Sequence, residues 1–290
     1  MHFLIPTANE QVLWDEFLQK NGGLCFSNST YLTATADQWG IVYNDTKTGG
    51  MACPFVEKMG QRVLVTPFFC RYVEWVGTPI SPEQLIAFLK QHFQVADCQI
   101  RNTTFGNSDR VFQELNAENY QLNQQAKRSL KKAAGFTYTW GYEIDQLKQL
   151  ISSELAQKID SLNAFSLSKL ERLVRATTDH QLRQLNCWME GKWVGGLWLL
   201  KDADRMIYLK GTVANEVRKE GAMYFLMNQA ITNALKDGFI FDFGGSNVAN
   251  VRRFNLHFGA QDVVYSHLKW NQAPIWWKTL KFLKQQWNKK

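Results

Sequence analysis

GFIFDFGGSNVANVRRFNLHFGA, residues 238–260, is the stretch whose reading decides the fold. Its apolar run Phe239, Ile240, Phe241 and Phe243, broken only by Asp242, is too short for a globular helix and reads as a strand. Gly244 and Gly245 stop that strand. Ser246 or Asn247 then caps a helix whose first turn carries unpaired N–H groups, with Arg252 and Arg253 one to two turns further on. A helix start backed by two arginines at the end of a sheet offers an anion or ligand site. Glycine pairs also end strands for geometric reasons alone, and Asp242 can simply satisfy nearby backbone donors. The residues themselves leave both readings open.

Working outward, residues 214–237 carry Ala222, Phe225, Leu226, Ala230, Ile231 and Ala234 at helical spacing, ended by Gly238. Before that helix lie three alternating runs, 184–190, 193–201 and 206–212, joined by short polar turns as in an antiparallel meander. After the deciding stretch, residues 262–270 read as a last strand. Upstream of the meander come a strand over 135–142 and helices over 144–155 and 166–178, the second opened by Ser166 as a cap. The first part repeats the mixture, with helices over 10–20, 31–37 and 83–92, the last behind Pro82, and strands over 41–43, 51–58, 62–69 and 95–101. Residues 107–134 read as a polar, glutamine-rich linking stretch ending in a basic helix. The pattern is α+β, a mixed α/β arrangement with at least one crossover, and no GxGxxG opens a dinucleotide-binding unit. We expect two domains, residues 1–120 and 121–290.

Composition narrows the function. Of 290 residues, 45% are apolar and 20% charged with only 6 prolines, a globular balance. Neither a signal-like opening nor a spanning apolar run occurs, so a cytoplasmic protein is expected. The five cysteines, Cys25, Cys53, Cys70, Cys98 and Cys187, are dispersed without a CxxC pair and read as reduced, buried thiols. The five histidines lack metal-site spacing, so no metal is expected. Net charge is +7, but residues 1–126 hold 8 Lys/Arg against 12 Asp/Glu and residues 127–290 hold 25 against 14. Anions should therefore meet the later part, whether a phosphate-bearing small molecule, nucleic acid or an acidic lipid surface. Lys127, Arg128, Lys131 and Lys132 crowd six positions, as a solvated helix face or an anion site. In the tail, Trp276, Leu280, Leu283 and Trp287 repeat at helical spacing among lysines, so residues 274–290 either dock on the protein's own sheet or lie on a membrane surface.

The succession from Tyr208 to Ala260, with FDFGGSN followed by RRFNLHFGA, resembles the second half of the Fem-type aminoacyltransferases and their relatives in the GNAT acyltransferase superfamily. KRSLKKAAGFTYTWG resembles the NxRKAxKxG-like element near the start of the same half. The resemblance covers roughly residues 120–270, and residues 1–115 are compatible with a degenerate first copy. It implies two GNAT-like domains, each a twisted, mainly antiparallel sheet flanked by helices, with an acyl donor bound in a cleft of the second.

In simple acetyltransferases of that superfamily the pyrophosphate of acetyl-CoA is cradled by a turn opening the central helix. Here the matching run is Arg218, Lys219, Glu220, Gly221, Ala222 and Met223, in which Met223 replaces a small residue and Glu220 adds negative charge. The cross-bridge enzymes use aminoacyl-tRNA, but the coiled-coil arm that several of them carry is absent between Tyr142 and Leu185. The resemblance thus implies an N-acyltransferase with acyl-CoA, an acyl carrier or aminoacyl-tRNA as cosubstrate, no permanently bound cofactor, and a small-molecule or cell-wall-precursor amine as acceptor. The reaction would run in the cytoplasm, at the inner face of the membrane if the tail binds lipid.

Direct transfer to an amine needs alignment and stabilisation of oxyanion charge, without a protein nucleophile. Lys210 and Gly211, at the end of the strand over 206–212, are candidates to hold donor phosphate or developing charge and to admit close backbone approach. Asp242 is a candidate to orient the acceptor amine or take its proton, Tyr208 to protonate the leaving group, and His257 to act as general base. Each has an ordinary structural role as its alternative. Cys187 has no adjacent His and carboxylate to activate it. Two other classes stay open: a catalytically inactive binding or scaffold protein of the same architecture, and a peripheral membrane or nucleic-acid binding protein using the basic second half.

Overall fold

The computed structural model describes residues 1–102, 105, 107–155, 163–177, 181–245 and 248–280, with residues 107–110 described by their backbone. Two compact units result: Met1–Arg110 with Tyr265–Lys290, and Val111–Val264.

The first unit opens with β1 (His2–Leu4) and α1 (Ala8–Lys20). Thr7 and Glu10 form a reciprocal capping box that fixes the start of α1. Next come α2 (Ser29–Thr35), β2 (Gln38–Tyr43), β3 (Gly49–Lys58), β4 (Gln61–Val65), β5 (Trp75–Gly77), α3 (Pro82–His92) and β6 (Val95–Ile100). β2, β3 and β4 form an antiparallel meander whose last turn is taken by Met59 and Gly60 at left-handed φ. α3, capped by Ser81 with Pro82 in its first turn, carries the chain across to β6, which pairs in parallel with β4 through Val63–Val65. Phe55, Leu64, Leu85, Leu89 and Phe93 fill the core between sheet and helix.

The second unit repeats that succession. It begins in β7 (Asn107–Leu115), then α4 (Gln124–Lys132), β8 (Phe136–Trp140), α5 (Ile144–Glu154) and α6 (Ala164–Thr177). β9 (Leu182–Met189), β10 (Lys192–Asp202) and β11 (Arg205–Val213) form the meander, α7 (Ala222–Lys236) crosses over, and β12 (Ile240–Gly245) returns parallel to β11. α8 (Ala249–Leu256) and β13 (Gln261–Asn271) follow. In this unit the strand order is β7-β12-β11-β10-β9-β8. The first unit's sheet runs β1-β2-β3-β4-β6-β13, its last strand supplied by the end of the chain. Each unit is thus a mainly antiparallel sheet with one parallel joint and a crossover helix, the tandem α+β arrangement expected from the sequence. The core of the second unit gathers Leu197, Leu199, Leu226, Ala230, Ile231, Phe241 and Phe243.

Several elements depart from the sequence reading. Residues 107–115, read as linker, are a strand paired antiparallel with β12. The long helix expected over 214–237 is broken: a 3-10 turn over Asn215–Glu220 precedes Gly221 at φ 88°, and the α-helix starts at Ala222. α6 is capped by Asn163, whose Oδ1 accepts from Ser166 N at 3.0 Å, so Ser166 lies inside the helix. β12 continues through both glycines to Gly245. The capping residue of α8 is Val248, with no side-chain cap bond, while Ser246 and Asn247 lie outside the described residues. The contacts also group the tail with the first unit, whereas the sequence reading ran the second domain from 121 to 290.

Candidate active site

β11 and β12 pair over only three registered positions, Arg205 with Ile240, Met206 with Phe241 and Ile207 with Asp242. Beyond them β11 runs on to Val213 in register with β10, and β12 runs on to Gly245 in register with β7. Two central strands therefore fork at their carboxyl ends, the place in an open sheet where ligands meet backbone groups that no neighbouring strand has claimed. The register of β11 against β10 also slips at Trp198/Leu199, which leaves Leu209 as an extra residue on β11. Tyr208, Leu209 and Lys210 are each half-buried in succession, as an opened interior strand requires.

Lys210 stands in this fork. Its side chain makes no hydrogen bond or ion pair among the described residues, and burial lowers its ammonium below the usual 10.5. Tyr208 donates to the carbonyl of Gly211 at 3.3 Å, so its hydroxyl is turned along its own strand. A Cβ at Gly211 would come within 3.0 Å of Gly196 O and Leu197 on β10. That glycine is required by the neighbouring strand, independently of any ligand.

Asp242 is fully buried, and its Oδ1 accepts from Gly244 N at 2.7 Å. The carboxylate thus fastens the glycine turn of its own strand, opposite Ile207 at the fork. Arg252 is paired with Asp262 through two nitrogens, which removes it from the free cations. Arg253 is exposed without an ion pair among the described residues. His257 sits at the end of α8 with Nδ1 2.8 Å from the Tyr224 hydroxyl and its ring stacked on Tyr224. Burial first, and the Arg253 charge second, hold its imidazole below 6.5.

The turn ahead of α7 differs from an open phosphate cradle. Arg218 reaches back to Glu154 Oε2 at 3.2 Å and to Thr212 Oγ1 at 3.4 Å, so its charge is answered within the protein. A Cβ at Gly221 would meet Ser129 O of α4 closer than 3.0 Å. Helix α4 lies against this turn through buried Ala126 and Ser129, followed by Ala133. Its other face presents Lys127, Arg128, Lys131 and Lys132, all exposed and without ion pairs among the described residues, with Lys219 exposed on the turn itself. Gln121 N bonds Phe258 O at 3.1 Å and Asn123 N bonds His257 O at 3.0 Å, tying the start of α4 to the end of α8.

The structure therefore brings Tyr208, Lys210, Gly211 and Asp242 together at the fork. Gly221 and His257 are linked through Tyr224 and α4 beside it. Sequence reading overlooked the bulge at Leu209, and it had no signal that α4 would lie against Gly221. No thiol is placed to act as nucleophile among the described residues: Cys187 is buried, and desolvation pushes it up to about 12.

A forked parallel joint after an antiparallel meander and crossover helix is the architecture of acyltransferase domains of the GNAT type, and comparison with known proteins agrees. Residues 120–251 match the family described as the acetyltransferase (GNAT) domain. No curated protein matches by sequence. Among solved structures, the chain is similar to FemX, with 12% identity over 92% of this chain and 98% of that one at a TM-score of 0.60. It is also similar to L-PGS from Bacillus licheniformis, with 14% identity over 97% of each chain and a TM-score of 0.58. A tandem GNAT protein from the clavulanic acid biosynthesis pathway aligns with 10% identity over 94% of this chain and 99% of that one, at 0.51. At these identities the structural likeness is one of fold. Residues 120–251 thus match the GNAT domain family, and the chain shares its fold with FemX and with a tandem GNAT protein.

Proposed function

We propose that this chain is an N-acyltransferase that moves an acyl or aminoacyl group from an activated donor directly to an amine, with the donor lying in the fork between β11 and β12. The observation that supports this reading is the three-residue pairing of those strands, with half-buried Tyr208, Leu209 and Lys210 beyond it. In the proposed reaction the acceptor nitrogen attacks the acyl carbon and a C–N bond forms. The carbonyl oxygen gains negative charge near backbone N–H groups of β11 and the Lys210 ammonium, and the C–S or C–O bond to the carrier then breaks. The attacking nitrogen gives up one proton and the leaving sulfur or oxygen gains one. No acyl-enzyme is invoked, in keeping with the buried thiols.

The donor's phosphates are proposed to lie away from the Arg218–Gly221 turn, because Glu154 and the backbone of α4 already occupy that turn. The exposed cations of α4 and Lys219 are the nearest alternative with charge to spare. The proposed acceptor is an amine on a small molecule or cell-wall precursor in the cytoplasm. The test is a transfer screen in which acyl-CoAs, acyl-carrier proteins and aminoacyl-tRNAs are each offered with amine acceptors, alongside Leu209→Trp, which adds bulk at the bulge of β11 beside the fork. Transfer from one donor class by the parent protein, lost in the correctly folded variant, is expected. If no donor in the panel binds or reacts, the proposal fails.

A further inference from the structure

We infer that the carboxyl-terminal helix is a docking surface for an anionic lipid bilayer, and that it uses a face different from the one that holds it to the protein. The helix covers 275–280 and starts behind Pro274, whose carbonyl accepts from Trp277 N and Lys278 N. One residue anchors it: Trp277 is fully buried, packs with Val63, Val95 and Ala273, and donates its indole N–H to Lys58 O at 2.9 Å. The stripe read from the sequence is another one. At 100° per residue, Trp276 and Leu280 lie about 100° and 60° to the same side of Trp277. They stay 51% and 47% exposed, and Ile275 is 82% exposed. Docking on the first unit therefore uses Trp277 and leaves Trp276 and Leu280, the described part of the stripe, uncovered.

Charge decides between possible occupants of that face. From residue 263 to residue 290 the sequence contains no Asp or Glu, but six lysines: Lys269, Lys278, Lys281, Lys284, Lys289 and Lys290. Lys58 and Met59, at the tip of the β3–β4 hairpin where Trp277 is anchored, are exposed as well. Exposed tryptophan and aliphatic side chains, in a sequence segment whose only charged residues are lysines, suit the headgroup boundary of a negatively charged membrane. A second copy of this chain would bring the same lysine-only segment to the contact, where like charges repel. Among the described residues no helix is long and apolar enough to cross a membrane.

The experiment is co-sedimentation of the full chain with phosphatidylcholine vesicles, with and without phosphatidylglycerol, at low and high salt. It is run on the parent protein and on the double variant Trp276→Ser/Leu280→Ser, which keeps the Trp277 anchor. The parent is expected to pellet with the anionic vesicles only and to be released by salt. The variant, with unchanged melting temperature, should partition about tenfold less or weaker still. Three outcomes overturn the inference: a parent protein that stays in the supernatant, equal pelleting by the variant, or binding indifferent to phosphatidylglycerol. A parent dimer that the variant abolishes, without vesicle binding, assigns the face to a second copy and overturns it too. The inference does not depend on the proposed transfer activity.

Discussion

Replacing Gly221 with alanine separates two reasons for a glycine ahead of α7. If it serves ligand approach, Gly221→Ala keeps the fold and weakens donor binding. The geometry argues for packing. Gly221 sits at φ 88°, and a Cβ there would fall within 3.0 Å of Ser129 O in α4. The left-handed backbone costs a β-carbon about 1–2 kcal/mol. Displacing the α4 backbone to relieve the overlap adds about 1–3 kcal/mol, the range for overpacking a well-filled site. The sum, roughly 2–5 kcal/mol, corresponds to a fall of roughly 5–15 °C in Tm for a unit of this size. Thermal unfolding followed by far-UV circular dichroism reads it directly. Gly135→Ala is the control, since nothing lies within 4 Å of a Cβ there and its φ is not left-handed. A Gly221→Ala protein melting within about 2 °C of the parent, with donor binding lost, would refute the packing argument and restore the turn as a phosphate cradle.

Other outcomes follow from the same geometry. Lys210→Met should reduce transfer by about 10²- to 10³-fold, the loss seen when one donor to an oxyanion is removed, without lowering Tm. Its folded-state pKa lies below that of the unfolded chain, so the unfolded chain binds more protons in between and stability rises with pH up to about 10.5. Equilibrium urea denaturation in alkaline buffers should show that rise flattened in the variant. His257 is depressed in the same sense, so its contribution is present above pH 6.5 and is lost as pH falls through the folded value. His257→Gln should weaken the acid-side loss of the urea midpoint, and an unchanged pH profile would show that the ring does not titrate as described. All five cysteines are buried, so native protein should resist iodoacetamide and keep its activity, as mass spectrometry and the transfer assay would report. Rapid modification coupled to inactivation would reopen a covalent route.

Much of the second unit was legible because its signals are local. The meander of β9, β10 and β11 alternates along each strand, and its turns carry Gly191 and the short polar run at Asp202–Arg205. β7 escaped because its inward side is partly polar. Gln113 is fully buried, yet it is satisfied by Asn255 at 2.9 Å and Asp262 at 3.0 Å, partners more than 140 positions away. A buried amide paired across such a separation leaves no periodic apolar trace. The break at Gly221 was hidden for a similar reason: the apolar period of α7 extends smoothly backward, and only the presence of α4 explains the left-handed residue. The candidate site was legible as residues and not as roles. Asp242 and Arg252 both stand out in the sequence, but their bonds to Gly244 N and Asp262 depend on the folded chain and leave no trace in residue spacing.

The two units also differ at their parallel joints, which bears on where a donor fits. In the first unit β4 ends at Val65, and Pro67 follows with no N–H to extend the ladder. The chain turns through Cys70 N to Pro67 O and comes back beside β6. There Val73 N bonds Gln99 O at 2.8 Å and Arg101 N bonds Val73 O at 2.9 Å. Thr66 Oγ1 accepts from Gln99 N at 2.8 Å. The backbone groups of β6 beyond its three-residue pairing are therefore claimed by residues 66–73, and freeing them for a ligand would leave buried donors without partners. β11 has no proline past its fork and continues for six residues to Val213, paired on its β10 side. One repeat has claimed the joint with its own chain, whereas in the other the strands part after three pairs, beside a bulged strand and a half-buried lysine. That asymmetry favours the second unit over the first as the place for the proposed acyl donor.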